Sequence, residues 1–534
     1  MFDGRCELID TKKQVKAPFG AKMLKSAGVV SVFTMLSRVL GLVRDVTIAM
    51  VFGAGLGADA FFVAFKVPNF MRRLFAEGAF AQAFVPVLTD YKTKRSPAEV
   101  QELLDHVAGF LGAVLGLLTL VAVLGAPWLI MVFAPGFVSN PEKIALAGDM
   151  LRLTFPYLFF ISLTAFAGSI LNSYGRFAVP AFTPVLLNIC LISCALLLSP
   201  LLTEPVVALA WGVLLAGVLQ LLLQLPFLKS MELLPKPKLI WAGFQRQHKG
   251  VKQIMQLMLP ALFGVSVSQI NLLLDTVLAS FLVTGSVSWL YYSDRLVELP
   301  LGVIGIALAT VILPSLSAKH AEKSAHDFAK TLDWAMRMVL LVGVPSAVAL
   351  FVLAEPIITV LFQRGAFDEY SVIKSAQSLR AYSVGLLAFM LIKVLAPGYF
   401  ARKDTKTPVK IGIKAMAANM VFNLILIWPL AHVGLALATS LSAFLNAGWL
   451  LAGLRRQGVF EFQAGWLVFV LRLLLATASM LAVIAWLWVD LQQWLDWGLF
   501  DRIWHMALFV TAGMLSYSVV LFITGIRRRD LMMH

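Results

Sequence analysis

Arg38, Arg44 and Arg295 lie inside stretches otherwise apolar enough to cross a membrane. A guanidinium does not shed its charge at any ordinary pH. Placing one near a bilayer centre costs about 2.5 kcal/mol or more. Such groups are kept where they face water or an anion, and a planar fork of N–H donors suits phosphate oxygens. The first pair stands in Ser37-Arg38-Val39-Leu40-Gly41-Leu42-Val43-Arg44-Asp45, where Gly41 weakens the helix and invites a bend. Unbroken, that helix points Arg38 and Arg44 to different sides and puts Arg38 and Asp45 on one face. Asp59, Lys66, Pro68, Asn69, Arg72, Arg73 and Glu77 follow in the next apolar stretch. Arg295 stands between Asp294 and Glu298, which are one turn apart, just after Trp289, Tyr291 and Tyr292. Two readings stay open. The charges pair internally as structural pins (Arg44 with Asp45, Arg72 with Glu77, Arg295 with Glu298), or they face each other across an anion-binding cavity. Arg73, nearer the basic end, reads as a snorkelling surface residue.

A second polar set is separate: Asp275 in one apolar stretch, Asn419 and Asn423 one turn apart in another, and Thr439 in the next. Carboxylate, amide and hydroxyl oxygens suit a hard cation such as sodium. Asn and Thr also serve as interhelical hydrogen-bond glue. The residues alone leave both readings standing.

The elements that position these groups follow from composition. The 534-residue chain is 60% hydrophobic and 14% charged, with a mean hydropathy of +0.86. A soluble domain carries roughly 25% charged residues. Charge-free runs cover 107–141, 153–175, 177–203, 205–228, 415–454 and 503–526. Each is long enough for one span of about 20 residues, and the longest for two. Spans are expected near 28–52, 59–89, 105–133, 145–174, 180–201, 206–228, 253–283, 288–316, 332–361, 376–400, 408–430, 434–454, 466–489 and 503–525. The result is an all-α polytopic membrane protein of about fourteen helices.

Net charge is +15 and the sequence pI is 9.7, yet nucleic acid is not the expected partner. The basic residues fall in alternate loops, such as Lys92–Lys94, Arg402–Lys406 and Arg455–Arg456. The loops between, such as 53–57, 203–205, 284–286 and 431–434, are nearly free of them. The positive-inside rule then puts both termini in the cytoplasm. The first 22 residues lack an apolar core and read as a cytoplasmic tail, with Met23 as an alternative start. In 231–252, Trp241 and Phe244 among lysines suit either an amphipathic segment or a solvated loop. The acidic loop 490–501 offers Trp494 and Trp497 to the interface. Cys190 and Cys194 read as small hydrophobes. No phosphate-binding loop or zinc-protease motif is present, so driving force is expected from ions or membrane potential.

The two halves echo each other. Phe80-Ala81-Gln82-Ala83-Phe84-Val85-Pro86 resembles 306–314, Val207-Ala208-Leu209-Ala210 resembles 435–438, and Thr183-Pro184-Val185 recurs at 407–409. The order is the same, so a parallel repeat of two six-helix lobes is expected, with two further helices outside it. The expected divisions are a tail (1–22), an N-lobe (23–228), a linker (229–252), a C-lobe (253–456) and a terminal helix pair with a cytoplasmic end (457–534).

The segment 37–45, with Phe52-Gly53-Ala54-Gly55, Asp59–Asn69 and Arg72–Phe80, resembles the MurJ (MviN) family. So do Gly285–Arg295 and Lys393-Val394-Leu395-Ala396-Pro397-Gly398. The likeness runs from about Met23 to the end. It implies a lipid II flippase of the multidrug/oligosaccharidyl-lipid/polysaccharide exporter superfamily in the bacterial inner membrane, not an enzyme. It further implies that Arg38, Arg44 and Arg295 hold a pyrophosphate, with Asp59, Arg72 and Glu77 also in the cavity. Asp45, Asp294 and Glu298 would belong to the gate, and the last two helices would form a lipid-tail groove. The site at Asp275 matches a sodium site of some members. Lipid II, membrane lipids and the cell-wall synthesis machinery are the implied partners. An O-antigen-type flippase or a cation-coupled drug exporter remains the alternative, though a cavity for cationic drugs should be dominated by acidic groups. A membrane scaffold, or an enzyme acting on polyprenyl phosphates, is the rival of another class; the enzyme should expose a metal-binding carboxylate pair in a loop, and none stands out.

Overall fold

A computed structural model describes residues 19–74, 80–238, 249–302, 306–322 and 324–527. Helices make up almost all of it, and no strand occurs among the described residues. In chain order they are α1 (Phe19–Phe52), α2 (Leu56–Arg72), α3 (Phe80–Lys94), α4 (Pro97–Leu124), α5 (Ala126–Phe133), α6 (Pro141–Thr154), α7 (Tyr157–Ser173), α8 (Ala178–Ser193), α9 (Val207–Ser230) and α10 (Lys249–Ser280). There follow α11 (Ser286–Pro300), α12 (Ile306–Ala321), α13 (Ala325–Val352), α14 (Ala354–Phe362), α15 (Glu369–Phe400), α16 (Lys406–Arg456), α17 (Trp466–Trp486), α18 (Leu491–Asp496) and α19 (Leu499–Ile523). Nine helices among the described residues are long and apolar enough to cross a membrane.

Helix α1 runs unbroken through Gly41, so the expected bend is not formed. Gly41 instead gives α8 room, its Cβ position lying 3.8 Å from Asn188 Nδ2. Helix α16 is 51 residues long, about 76 Å at 1.5 Å per residue, and too long for one crossing. It turns sharply at Ala431 (φ 47°, ψ −126°), two residues after Pro429, and so replaces the expected loop 431–434. The polar start of α4 is capped by Ser96, which accepts from the Glu99 N–H (3.4 Å) while Glu99 accepts from the Ser96 N–H (3.0 Å). Hydrogen bonds from the Ser96 N–H and the Ser96 hydroxyl hold the Glu99 carboxyl below its ordinary range.

Neighbour relations repeat in the two halves. Helix α1 packs on α8 as α10 packs on α16, α2 on α6 as α11 on α15, and α7 on α9 as α15 on α16. Beyond the repeat, α17 and α19 pack on each other and on the α13–α14 region, through Phe469, Leu473, Met480 and Phe509. Trp494, expected at the membrane surface, is fully buried there against Trp497 and Phe509. The reason is that α18 folds its loop back onto the pair. Cys190 and Cys194 are buried and unpaired. Residues 231–238 carry no helix and are strapped to α4 by Asp105, which accepts from the Lys236 N–H (2.8 Å). Trp241, Phe244 and the 1–18 part of the tail fall outside the described residues, whereas Phe19–Lys22 already belong to α1.

Candidate functional site: a charged cavity between the halves

Arg44 reaches from α1 toward the second half. Its Nε and Nη2 donate to Asp45 Oδ1 (3.0 and 2.7 Å), Nη1 donates to Asn188 Oδ1 (3.1 Å) and Nη2 to Tyr291 Oη (3.1 Å). Tyr291 in turn donates to Asp45 Oδ1 (3.0 Å) and stacks on Phe62, with centroids 3.9 Å apart. Arg295 sits over the Tyr291 ring at 4.8 Å and donates from Nη1 to Glu298 Oε2 (2.7 Å). Its Nε lies 3.9 Å from Asp45 Oδ2, too far for a hydrogen bond, and is buried with no partner. Arg38 lies against Gly302 so closely that any side chain at 302 would overlap its guanidinium. Arg44 and Arg295 therefore meet through Tyr291 and Asp45 where α1 meets α11, Arg38 lies farther along against Gly302, and one buried donor is left unused.

Below them a cavity of about 150 Å³ separates the halves. Lys66, Asn69 and Arg73 line it from α2, Asp294, Arg295 and Glu298 from α11, and Asp275 from α10. Arg73, expected at the surface, thus faces the cavity, because α2 stays wound past Pro68 into Arg72 and keeps Arg73 on its inner side. Arg72 donates from Nε and Nη2 to Asn69 Oδ1 (3.0 and 2.8 Å). Glu77 lies outside the described residues, so its pairing with Arg72 does too.

Asp59 is not in this cavity. It is fully buried at the opposite end of α2, the end away from the basic loops. Its Oδ2 accepts from Lys143 Nζ (2.8 Å) and the Gly285 N–H (2.8 Å). Its Oδ1 accepts from the Ser288 N–H (3.0 Å) and Ser288 Oγ (2.7 Å). One carboxylate thus fastens α2 and α6 to the start of α11. Gly285 permits this because its left-handed backbone (φ 102°) turns the chain tightly against Trp289 and the Ala54 carbonyl. The same seam holds Tyr292 Oη on the Gly53 carbonyl (3.1 Å), the Ala366 N–H on the Met50 carbonyl (2.9 Å) and the Gly136 N–H on Ser280 Oγ (3.0 Å). This end of the molecule is sealed. At the basic end α10 lies on the first half, with Ile254 and Met258 in the cluster around Phe80, Phe84 and Val107.

The second polar set does come together. Asn423 Nδ2 donates to Asp275 Oδ1 (2.8 Å) and Asn419 Oδ1 (2.9 Å), and Thr439 Oγ1 to Asp275 Oδ2 (3.4 Å). Asn419 Nδ2 donates to Thr439 Oγ1 (3.4 Å) and Ser442 Oγ (3.3 Å). Asn423 Oδ1 is buried without a partner. Asp275 and Thr439 also line the central cavity, so the two polar sets share a wall.

Asn188, Tyr291, Lys143, Ser288 and Lys66 were not assigned roles from sequence. Asn188 in the apolar run 177–203 and Lys66 in its apolar stretch carried a signal in plain view, since such residues need partners inside a membrane.

Two halves of long apolar helices, sealed at one end and with guanidinium groups beside a cavity, define a two-lobed helical membrane protein. The fold agrees: an inward-facing multidrug transporter of the MATE family has a TM-score of 0.66 at 16% identity, covering 81% of this chain and 98% of that one. The family model for lipid II flippase MurJ matches residues 48–505, and the chain belongs to that family. It is 50% identical over 517 residues to the probable lipid II flippase MurJ of Vibrio cholerae, covering 96% of this chain and 98% of the relative. It is 42% identical over 505 residues to the lipid II flippase MurJ of Burkholderia cenocepacia, covering 93% and 96%. A solved lipid II flippase MurJ in an inward closed conformation has a TM-score of 0.77 at 27% identity, covering 94% of this chain and 99% of that one.

Proposed function

We propose that this chain flips lipid II, the undecaprenyl-diphosphate-linked peptidoglycan precursor, from the inner to the outer leaflet of the cytoplasmic membrane by alternating access. The observation that carries the reading is the arginine group where α1 meets α11: Arg295 Nε is a buried donor with no acceptor, beside a carboxylate already shared by Arg44 and Tyr291. A diphosphate entering from the basic end would take that donor, the Arg38 guanidinium and the one Arg44 N–H not already engaged. Asp45 and Tyr291 hold Arg44 in position meanwhile. Asp294 and Glu298, on the same helix as Arg295, would sense the arrival as gating groups. The undecaprenyl chain would stay in lipid, along α17 and α19. The lobes would then rock, and the seam at Asp59 would part to release the headgroup.

We read fourteen crossings from the helix order and cytoplasmic termini from the alternation of basic loops. The two limbs of α16 each span, and α2 with α3, α4 with α5, α6 with α7, α11 with α12, and α13 with α14 each make one. Lobes over 23–228 and 253–456 with a tail pair over 457–534 follow, and the family is one of transporters rather than enzymes. We read the set at Asp275 as a sodium site: the residues fit, since Asp275, Thr439 and the unpartnered Asn423 Oδ1 supply three oxygen donors. Sodium bound there would supply charge that balances Asp275, and the shared cavity wall would let the ion and the diphosphate influence each other. Partnership with the cell-wall synthesis machinery is expected from the substrate alone.

The test is accessibility of lipid II to an external probe in cells where this chain alone replaces the resident flippase. Labelling that requires both the chain and Arg44 is the expected result. Normal labelling with Arg44→Ala would overturn the diphosphate role. No labelling for the inserted wild type would shift the substrate to another polyprenyl-linked glycan.

A further inference from the structure

At the sealed end, away from the arginine cavity, a second hollow of about 730 Å³ opens sideways between α11, α15 and the kink of α16. One face of α15 forms its floor. Tyr370, Lys374, Gln377, Ala381 and Val384 recur every three or four residues and so lie along a single stripe. The stripe changes chemistry with depth: aromatic and cationic at the start of the helix, an amide one turn in, apolar beyond. Lys374 Nζ lies 5.3 Å over the Tyr370 ring, and no carboxylate among the described residues lies within ion-pair distance of it. Arg380 also lines the hollow and is paired, 2.9 Å from Glu355. On the far wall Trp289 is 2% exposed, yet its Nε1 has no hydrogen-bond partner. At the rim, Phe351 and Val384 are 45% and 40% exposed, which opens the lower half toward hydrocarbon.

We propose that this hollow binds an anionic phospholipid of the outer leaflet, with the phosphate at Lys374 and an acyl chain running down past Val384. The half-buried Lys374 ammonium, with no carboxylate partner among the described residues, is the donor open to the hollow, and the Trp289 indole N–H in its wall is buried without a partner, which is uncommon. The order of the stripe decides the occupant. A phospholipid has charge at the interface and hydrocarbon below, in the same sequence as Lys374, Gln377, Ala381 and Val384. A soluble anion would use only the upper half. The site also touches the seam, because Trp289 follows Ser288, whose N–H and hydroxyl hold Asp59. The bound lipid thus sits one residue from the contact that must open for transport.

The experiment is native mass spectrometry of the full chain in detergent, titrated with phosphatidylglycerol or phosphatidylcholine. Wild type and Lys374→Arg are expected to hold one more phosphatidylglycerol than Lys374→Gln, whose apparent affinity for that lipid falls roughly tenfold. Val384→Trp, which fills the tail position and leaves the charges alone, is expected to lose the same lipid. Phosphatidylcholine should distinguish none of them. Equal phosphatidylglycerol retention by wild type, Lys374→Gln and Val384→Trp overturns the proposal. So does displacement of the lipid by millimolar inorganic phosphate, which would mark a soluble-anion site. The readout is binding, so the result stands whatever substrate the central cavity carries.

Discussion

Arg44 makes its contacts through three different nitrogens, to Asp45, Asn188 and Tyr291. A lysine keeps the charge but cannot reach three acceptors from one fixed plane. Arg44→Lys should therefore slow lipid II translocation about tenfold, the loss of roughly 1.4 kcal/mol, while the protein still inserts. An unchanged external-labelling rate would show that charge alone suffices. Gly302 tests Arg38 from the other side. Valine there would push the guanidinium out of its seat, so Gly302→Val should impair translocation about as much as Arg38→Ala. Because both act on one contact, the double variant should be no worse than either alone; additive losses would mean the two residues act separately. The arginines could be read from the sequence because charge is rare and costly in an apolar run. Tyr291 and Asn188 could not be assigned, because a neutral hydrogen-bonding side chain has many uses within a membrane and its partner lies 247 or 144 positions away.

Helix α2 carries its functional groups at both ends, Asp59 in the seam and Lys66 to Arg73 at the cavity. Asp59→Asn leaves Lys143 buried without its counter-charge, a loss of about 3–5 kcal/mol. The paired change Asp59→Asn/Lys143→Met removes that penalty and should recover expression while leaving the seam weak. Spin labels at Gly55→Cys and Val283→Cys, placed on either side of the seam, should then report a longer distance than in wild type. An unchanged distance distribution would place the hold elsewhere, in Tyr292 or Ala366. The span expected at 59–89 falls on two helices, α2 and α3, and hydropathy does not tell which neighbour each end meets. Resemblance put Asp59 in the cavity; its buried partner Lys143 comes from a helix with no unusual pattern. Trp494 illustrates the same limit, since an acidic loop bearing tryptophans does not reveal that α18 folds inward.

On the scale of the whole molecule, the cavity joins the arginine group to the set at Asp275, with Lys66 among its lining residues. If sodium and diphosphate communicate through that wall, Asp275→Asn should abolish stimulation of translocation by sodium while leaving lipid II binding at the arginines intact. Flux assays in proteoliposomes with and without a sodium gradient would check it, and a variant that still responds to sodium would remove the ion from this site. Short echoes such as 80–86 against 306–314 are what point to repeated halves in the sequence. What no echo conveys is which end is shut, because that depends on contacts between halves, and the strongest of these use main-chain groups.

That last point bears on how the seam can vary over generations. Two of the four donors that receive Asp59 are the backbone N–H groups of Gly285 and Ser288. Codon changes cannot delete a main-chain donor unless they introduce proline or disturb the turn. Heritable adjustment of the hold on Asp59 must then come from Asp59, Lys143 and the Ser288 hydroxyl. A selection for suppressors of a stuck transporter should accordingly recover alleles clustered at those three codons, with position 285 held constant by its left-handed turn.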